Sequence, residues 1–300
     1  MSELSKTLLV VAGPTASGKT ALSIRLAQQF DTAIVSCDSR QFYKEMVIGT
    51  AKPDALELAA AKHHFIGHIS IQQLYTAGDF ERAVLASLSH IFQKKSIAIM
   101  TGGSGLYIKA VCDGVDYFPP VEDSIRAKLK LEFDHNGIEA LRQELLKKDP
   151  EYYHKVDLSN QQRLIRALEI CRSTGKPYSS FLGKQQKARP FQVKTIAIEW
   201  ERSLLYQRIN QRVDQMMQQG LLEEVKGLFP HRAVNALQTV GYRELFDYLE
   251  GNCSLEKAVE LIKRNTRRYA KRQLTWFRKD KSIIWIKPNE SLSSILQKIT

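Results

Sequence analysis

The stretch "GPTASGKT", residues 13–20, decides the fold. It follows the apolar run "TLLVVA" and precedes "ALSIRLAQQF", so a strand, a glycine-rich turn and a helix come in succession. That order, with Lys and Thr closing the turn, is typical of a phosphate-binding loop, whose backbone N–H groups surround phosphate oxygens. The residues predicted to bind a diphosphate or a nucleotide are Gly13, Pro14, Thr15, Ala16, Ser17, Gly18, Lys19 and Thr20, with the Thr20 hydroxyl as a ligand of Mg²⁺.

The loop alone leaves its ligand open, because ATP or the pyrophosphate of any other molecule would fit. The charge of the chain narrows the choice: Lys and Arg number 44 against 32 Asp and Glu, a net charge of +12. Residues 263–281 carry nine basic side chains and one acidic one. A small-metabolite enzyme has no need of that excess, whereas a polyphosphate or a nucleic acid would bind to it. A solvated basic helix is the alternative interpretation.

Alternating strands and helices surround the loop. Strands are predicted at "TLLVVAG", "TAIVSCD" and "KSIAIMTGG", more weakly at "HHFIGHIS", and again at "VKTIAIEW" and "SIIWIKP". The longest predicted helix is "SLLYQRINQRVDQMMQQGLLEEVKGLF". This alternation predicts an α/β fold with a doubly wound parallel sheet of the P-loop NTPase type.

The periodicity changes after the diproline at 119–120, which ends regular structure. Residues 121–187 show helical periodicity and no convincing strand. We therefore predict a catalytic core of residues 1–118 and 189–300, interrupted by an all-helical subdomain of residues 119–188.

The cysteines and the apolar runs indicate the cellular compartment of the protein. Four cysteines lie far apart and form no Cys-x-x-Cys pair, which favours a reducing cytoplasm without structural zinc. No apolar run approaches the length of a membrane span, and the N-terminal segment enters a strand rather than a cleavable signal. We expect a cytoplasmic protein that has no membrane partner and acts as a monomer.

Two polar segments follow predicted strands and should meet the loop, because ligands of open α/β sheets bind at the carboxyl ends of the strands. Asp38, in "SCDSRQFY", could hold Mg²⁺, act as a general base or cap a helix that starts at Ser39. Ser104, in "TGGSGLY", could present its hydroxyl to a ligand or cap the next helix.

Basic side chains are candidates for phosphate contacts. Arg163 and Arg166 share a helix face in the predicted insert, and Arg212 lies in "NQRVDQMM". Each could bind phosphates or merely pair with an acidic neighbour such as Glu169. In the basic segment, one helical stripe is formed by Ile262, Thr266, Tyr269, Gln273 and Trp276. We expect its aromatic residues to anchor the helix, while Arg264, Arg268 and Lys271 face outward.

Taken together, these segments resemble the tRNA dimethylallyltransferases, also called tRNA isopentenyltransferases. The resemblance covers nearly the whole chain, in family order, through "GPTASGKT", "SCDSRQFYKEMVIGTAKP", "GGSGLY", "QQRLIRALEICRSTGKP", "QRVDQMMQQGLLEEV", "TVGYRELFDYL" and "YAKRQLTWFR". It implies transfer of a dimethylallyl group from dimethylallyl diphosphate to N6 of the adenosine just 3′ of the anticodon, with Mg²⁺ as cofactor. The loop would then hold the diphosphate of the prenyl donor rather than ATP.

The resemblance also implies roles for individual residues. Asp38 matches the base that takes the N6 proton, and Ser104 stands where the family usually has threonine. Lys19, Thr20 and Arg212 match positions that hold the diphosphate. The positions expected to face the tRNA anticodon stem-loop are Asp38, Ser39, Arg40, Gln41, Ser104, Arg126, Gln162, Arg163, Leu164, Ile165, Arg166, Arg264, Arg268 and Lys271.

Two other classes of function use some of these features. A nucleoside or nucleotide kinase would share the loop and the sheet, and would use the insert as an arginine-bearing lid. The basic C-terminal segment argues against it, because a small acceptor does not need such a surface. An RNA-binding module without catalysis would leave the intact loop and Asp38 unexplained.

Overall fold

The computed structural model describes residues 6–183 and 188–299. Within them a six-stranded sheet has the order β3-β2-β4-β1-β5-β6, and every neighbouring pair is parallel. The predicted α/β fold with a parallel sheet is confirmed. The strands are β1 (Thr7–Ala12), β2 (Ile34–Ser36), β3 (His63–His64), β4 (Ile97–Gly102), β5 (Gln192–Ile198) and β6 (Ile284–Ile286).

Strand β1 lies at the centre of the sheet and carries the phosphate-binding loop at its carboxyl end. Its residues 8–12 are buried, because helices cover both faces of the sheet. In register, Ala12 lies opposite Gly102 of β4 on one side and Ala197 of β5 on the other. The loops that follow β4 and β5 therefore start at the same edge of the sheet, next to the phosphate-binding loop.

The helices of the part outside the predicted insert are α1 (Lys19–Gln29), α2 (Ala55–Ala60), α3 (Ala77–Ile91), α4 (Gly105–Cys112), α8 (Arg202–Gln218), α9 (Leu221–Leu228), α10 (Tyr242–Leu249), α11 (Leu255–Phe277) and α12 (Leu292–Ile299). The helices between them are α5 (Asp123–Lys148), α6 (Pro150–Tyr153) and α7 (Gln161–Thr174). Short 3₁₀ turns occupy Tyr178–Phe181, Phe229–His231 and Asn235–Leu237. Among the described helices, none is long and apolar enough to cross a lipid bilayer.

The prediction of one long helix after β5 is wrong. The segment forms two helices, α8 and α9, separated at Gly220, whose φ is +96°. Glycine takes this left-handed conformation without the steric cost of a Cβ atom, and so it commonly ends a helix. A similar residue, Gly137 with φ +71°, interrupts α5.

Contacts between Cα atoms divide the chain into two compact units. One contains the residues up to Asp113 and from Ala188 onward, and the other spans Gly114–Lys187. The second unit has its own apolar core, in which leucines of α5 pack against leucines of α7. Arg172 of α7 also binds Glu132 and Glu144 of α5, each at 2.5 Å. This unit therefore has both a core and internal ion pairs of its own.

Glu224 of α9 holds the loop that follows β2. Its carboxylate accepts the backbone N–H groups of Val47 at 3.0 Å, Ile48 at 2.7 Å and Gly49 at 3.0 Å. The hydroxyl of Tyr242, whose side chain is wholly buried, donates to the same carboxylate at 2.6 Å. Four donors on one carboxylate satisfy a turn of backbone that would otherwise need water.

Gly49 lies so close to Tyr242 that the loop tolerates no larger residue. A Cβ atom there would fall 2.6 Å from Cε2 of the buried ring. We expect Gly49→Ala to lower the free energy of unfolding by ~1–3 kcal/mol through overpacking. Gly227→Ala is the matched control, because nothing lies near that exposed helical glycine. We expect it to stabilise by about 0.5–1 kcal/mol. Urea unfolding curves that coincide for the two variants would contradict this prediction.

Candidate active site

The phosphate-binding loop turns tightly between β1 and α1. Ala16 and Gly18 have positive φ values of +62° and +92°, and α1 begins directly afterwards at Lys19. The ammonium group of Lys19 donates to the carbonyl oxygen of Pro14 at 2.7 Å. The loop therefore folds around its own lysine, in the arrangement that presents backbone N–H groups to an anion.

Helix α8 and the segment before it support the loop from outside. Arg208 donates through Nε to the carbonyl of Ala16 at 2.9 Å, and Trp200 donates through Nε1 to the carbonyl of Ser17 at 2.9 Å. The Arg208 guanidinium also stacks on the Trp200 ring, 4.5 Å from its centroid. These two side chains therefore hold the loop through its carbonyl groups at residues 16 and 17.

Two partly buried cations lie beside the loop. Burial lowers the pKa of Lys19 to about 8, opposed by the carboxylate of Asp38 and assisted by the positive charge of Arg212. Burial likewise lowers the pKa of Arg212, again opposed by Asp38. Both groups are therefore poorly solvated as cations, and a bound anion would stabilise their charged forms.

Asp38 and Ser104 meet at the carboxyl ends of β2 and β4, as predicted from their positions after these strands. Oδ1 of Asp38 accepts the backbone N–H of Arg40 at 3.0 Å within a turn, and no helix starts at Ser39. The helix-capping interpretation of Asp38 is therefore wrong. Ser104 precedes α4 but does not cap it, since its Oγ accepts the N–H of Ser39 at 3.2 Å.

The side chains of Arg40 and Gln41, which were expected to face tRNA, bind backbone carbonyls of the protein. Arg40 donates through Nη1 to the carbonyl of Ala236 at 2.9 Å. Gln41 is nearly buried and donates through Nε2 to the carbonyls of Thr50 at 3.2 Å and Ala51 at 2.9 Å. Both residues therefore shape the walls of the site.

Gln273 of α11 belongs to the site, although no role in the site was predicted for it from the sequence. Its Oε1 accepts the N–H of Thr15 at 2.9 Å, and its Nε2 donates to the carbonyl of Gly103 at 2.9 Å. The contact is so close that a Cβ atom on Gly103 would fall 2.1 Å from Nε2. The one available signal was a side-chain amide on the inner stripe of a basic helix.

A cavity of about 270 Å³ joins these groups. Charged and polar side chains line one part of it: Thr15, Lys19, Thr20, Asp38, Ser39, Arg40 and Arg212. Apolar side chains line another: Ile209, Val213, Met216, Leu221, Val240 and Ile262. The cavity therefore suits a small molecule with an anionic group and a short hydrocarbon group. A second cavity, of about 500 Å³, lies along residues 16–21 of the loop and α1, and is also lined by Arg208 and Arg212.

Comparison with known proteins assigns the chain to a family. The family model described as IPP transferase matches residues 41–280. The chain belongs to the IPP transferase family. The tRNA dimethylallyltransferases of Christiangramia forsetii and Flavobacterium psychrophilum are 52% and 49% identical to it. The alignment with the first covers 99% of this chain and 98% of the relative, and with the second 97% of each.

Solved structures agree with this assignment. The tRNA isopentenylpyrophosphate transferase of Bacillus halodurans superposes with a TM-score of 0.71 at 36% identity, covering 98% of this chain and 94% of that one. A eukaryotic dimethylallyltransferase acting on tRNA superposes with a TM-score of 0.80 at 26% identity, covering 98% and 78%. The fold of this IPP transferase is therefore shared by relatives over nearly its whole length.

The cations predicted to face tRNA lie on both units of this IPP transferase. In the larger unit, Arg264, Arg268 and Lys271 are exposed on α11, as expected. In the helical unit, Gln162 and Arg163 are exposed, whereas Arg126 and Arg166 both bind the buried carboxylate of Glu169. Leu164 and Ile165 are buried in the core of that unit, so their side chains hold α7 in place and are not available on its surface.

The expectation for the aromatic stripe of α11 needs correction. Ile262 and Gln273 are buried, but Tyr269 and Trp276 keep 37% and 44% of their surfaces exposed. The buried aromatic anchor of the helix is Phe277, which the stripe did not include. Helical periodicity places residues on a face but does not tell which part of that face meets a cleft.

The lowered pKa of Lys19 predicts how anion binding depends on pH. Below pH 8 the side chain of Lys19 is a positively charged ammonium group. Above pH 8 the free protein loses this proton, and with it the positive charge that binds the diphosphate. Affinity for inorganic diphosphate should therefore fall by up to about tenfold per pH unit above 8. The measurement is calorimetric titration between pH 7 and 9.5. Lys19→Arg, which keeps its charge, should show no such fall, and equal slopes for the two proteins would refute the prediction.

Proposed function

We propose that the protein transfers a dimethylallyl group from dimethylallyl diphosphate to tRNA, at N6 of the adenosine just 3′ of the anticodon. The bond from C1 of the prenyl group to oxygen breaks, a bond from C1 to N6 forms, and diphosphate and a proton are released. The observation that carries this proposal is the cavity in which Lys19 and Arg212, Asp38 and an apolar wall line one space. Membership of the IPP transferase family supports it.

The leaving group determines what the loop must do. Negative charge develops on the diphosphate oxygens as the C–O bond breaks, and fixed positive groups stabilise that charge. Lys19, Arg212 and the backbone N–H groups of the loop would supply them. Because both cations are already desolvated, they need little reorganisation when the anion binds. The apolar wall would hold the hydrocarbon and exclude water, which otherwise could capture the prenyl group.

The acceptor nitrogen needs a base, because the lone pair of the adenine amine is delocalised into the ring. Asp38 lines the same cavity as Lys19 and Arg212, and one of its oxygens is held by the N–H of Arg40. We assign it as the group that accepts the N6 proton. Ser104, bonded to the adjacent residue Ser39, would fix the position of the loop that carries Asp38.

Mg²⁺ is the proposed cofactor. The described residues contain no group of three or more His, Cys, Asp or Glu side chains that could hold a metal alone. Mg²⁺ does not require one, since it commonly keeps several waters and is held by one or two protein oxygens together with substrate phosphates. The Thr20 hydroxyl, next to Lys19 in the cavity, fits that donor set. Bound there, the ion would neutralise charge on the leaving diphosphate.

We also propose that the enzyme is a cytoplasmic monomer. The unpaired cysteines among the described residues suit a reducing compartment.

The experiment that tests this function uses labelled dimethylallyl diphosphate and an anticodon stem-loop in two forms. One has adenosine at the target position, and the matched control has guanosine there. Label should reach only the adenosine form, in the absence of ATP. Added ATP should compete with the donor without being consumed. Hydrolysis of ATP in step with product, or labelling of the guanosine form, would refute the proposal.

Asp38 should be needed for the reaction more than for binding. Asp38→Asn keeps an oxygen for the N–H of Arg40 but cannot accept a proton at neutral pH. Its single-turnover rate should be lower by roughly 10²–10⁴, the usual contribution of a general base. Affinity for the stem-loop should change far less. Asp113→Asn, an exposed residue paired with Lys109, is the control and should react normally. Near-normal turnover of Asp38→Asn would exclude the base assignment.

A further inference from the structure

Helix α11 contributes one side of the cavity. Four residues of its inner stripe line it, namely Ile262, Thr266, Tyr269 and Gln273. Among the described residues that line the cavity, Tyr269 is the one aromatic side chain. It shares the cavity with Asp38 and Ser39, the residues at the end of β2.

Tyr269 is more exposed to solvent than the residues on either side of it on the same helical stripe. Its neighbours on the stripe, Ile262 and Gln273, are 2% and 7% exposed, whereas Tyr269 is 37% exposed. The Arg272 guanidinium lies over one face of the ring, 5.7 Å from its centroid. The aromatic surface that remains open inside the cleft is one that a flat ligand can cover. The relevant ligand of the proposed function is a purine ring, which has a π face of its own.

The hydroxyl of Tyr269 stays protonated. Burial of this end and the negative charge of Asp38 raise the pKa of Tyr269 to about 12, while a hydrogen bond with the Ser104 hydroxyl acts in the opposite sense. Ser104 in turn accepts the N–H of Ser39. Tyr269 is therefore a neutral group at physiological pH, and the Ser104 hydroxyl beside it also binds the loop that carries Asp38.

We propose that Tyr269 is the positioning residue for the acceptor adenine, with its ring as the face on which the extruded base stacks beside Asp38. This inference rests on the proposed function. A target base must leave its own stack to reach an enclosed site, and an aromatic side chain replaces part of the stacking that it loses. Because the ring lies in the cavity with Asp38, stacking on it places the amine of the base near the carboxylate.

The test uses a base that reports stacking and does not react. 2-Aminopurine at the target position of the stem-loop lacks the N6 amine, and its fluorescence is quenched when it stacks. In the complex with wild-type protein and inorganic diphosphate the fluorescence should be quenched. Tyr269→Phe, which keeps the ring, should give the same quenching, whereas Tyr269→Leu should restore the fluorescence. Trp276→Leu, on the same helix but outside the cavity lining, should match wild type.

Transfer to the adenosine stem-loop provides the second measurement. Tyr269→Leu should lower kcat/KM for the stem-loop by roughly 5- to 150-fold, the range expected for one base–aromatic stack. Tyr269→Phe should stay within a few-fold of wild type, and affinity for inorganic diphosphate should be unchanged in both. The Phe variant also controls for folding, because it retains the packing of the ring.

The outcomes separate this inference from the proposed function. Normal transfer by wild type, together with equal fluorescence for wild type and Tyr269→Leu, would overturn the stacking inference alone. So would a Phe variant that behaves like the Leu variant, since the hydroxyl would then be the important group. Failure of wild type to label the adenosine stem-loop would overturn the proposed function, and the stacking inference with it.

Discussion

The side-chain amide of Gln273 joins two glycine loops that lie far from it and from each other in the chain. One hydrogen bond fixes the N–H of Thr15 in the phosphate-binding loop, and the other fixes the carbonyl of Gly103 after β4. A side-chain amide can accept and donate in this way from one planar group. The remainder of the site depends on this bridge, because Ser104 follows Gly103 directly and holds the loop that carries Asp38. It also fixes where Tyr269, one turn earlier on α11, enters the cavity.

In the site, the two cations Lys19 and Arg212 lie near one carboxylate, that of Asp38, so their positive charge exceeds the negative charge until an anion binds. Lys19 and Arg212 are both desolvated, and Asp38 is the anion whose field most supports their charged forms. A diphosphate would take over that role and leave Asp38 free to act on the acceptor.

Much of the fold could be predicted from the sequence, because its signals are local. The loop motif follows an apolar run, and parallel strands bring the residues after them to one edge, which placed Asp38 and Ser104 near Lys19. The break at Gly220 was missed because the apolar period continues through the glycine. The bridge of Gln273 and the exposure of Tyr269 could not be predicted, since they depend on which loops α11 meets in space. Leu164 illustrates the same limit: its motif suggested a surface, but its side chain is in a core.

The bridge from Gln273 to Thr15 spans 258 residues, with a consequence for the newly made chain. At roughly 5–20 residues per second, the amide leaves the ribosome between about 13 and about 50 s after the loop that it must hold. The central strand β1 also waits for β5, its neighbour on one side, until the helical unit has been synthesised. Throughout that interval the nascent protein displays an anion-binding motif without the helix that completes it. The bridge that holds the phosphate-binding loop therefore forms only after α11 has been synthesised, near the end of translation.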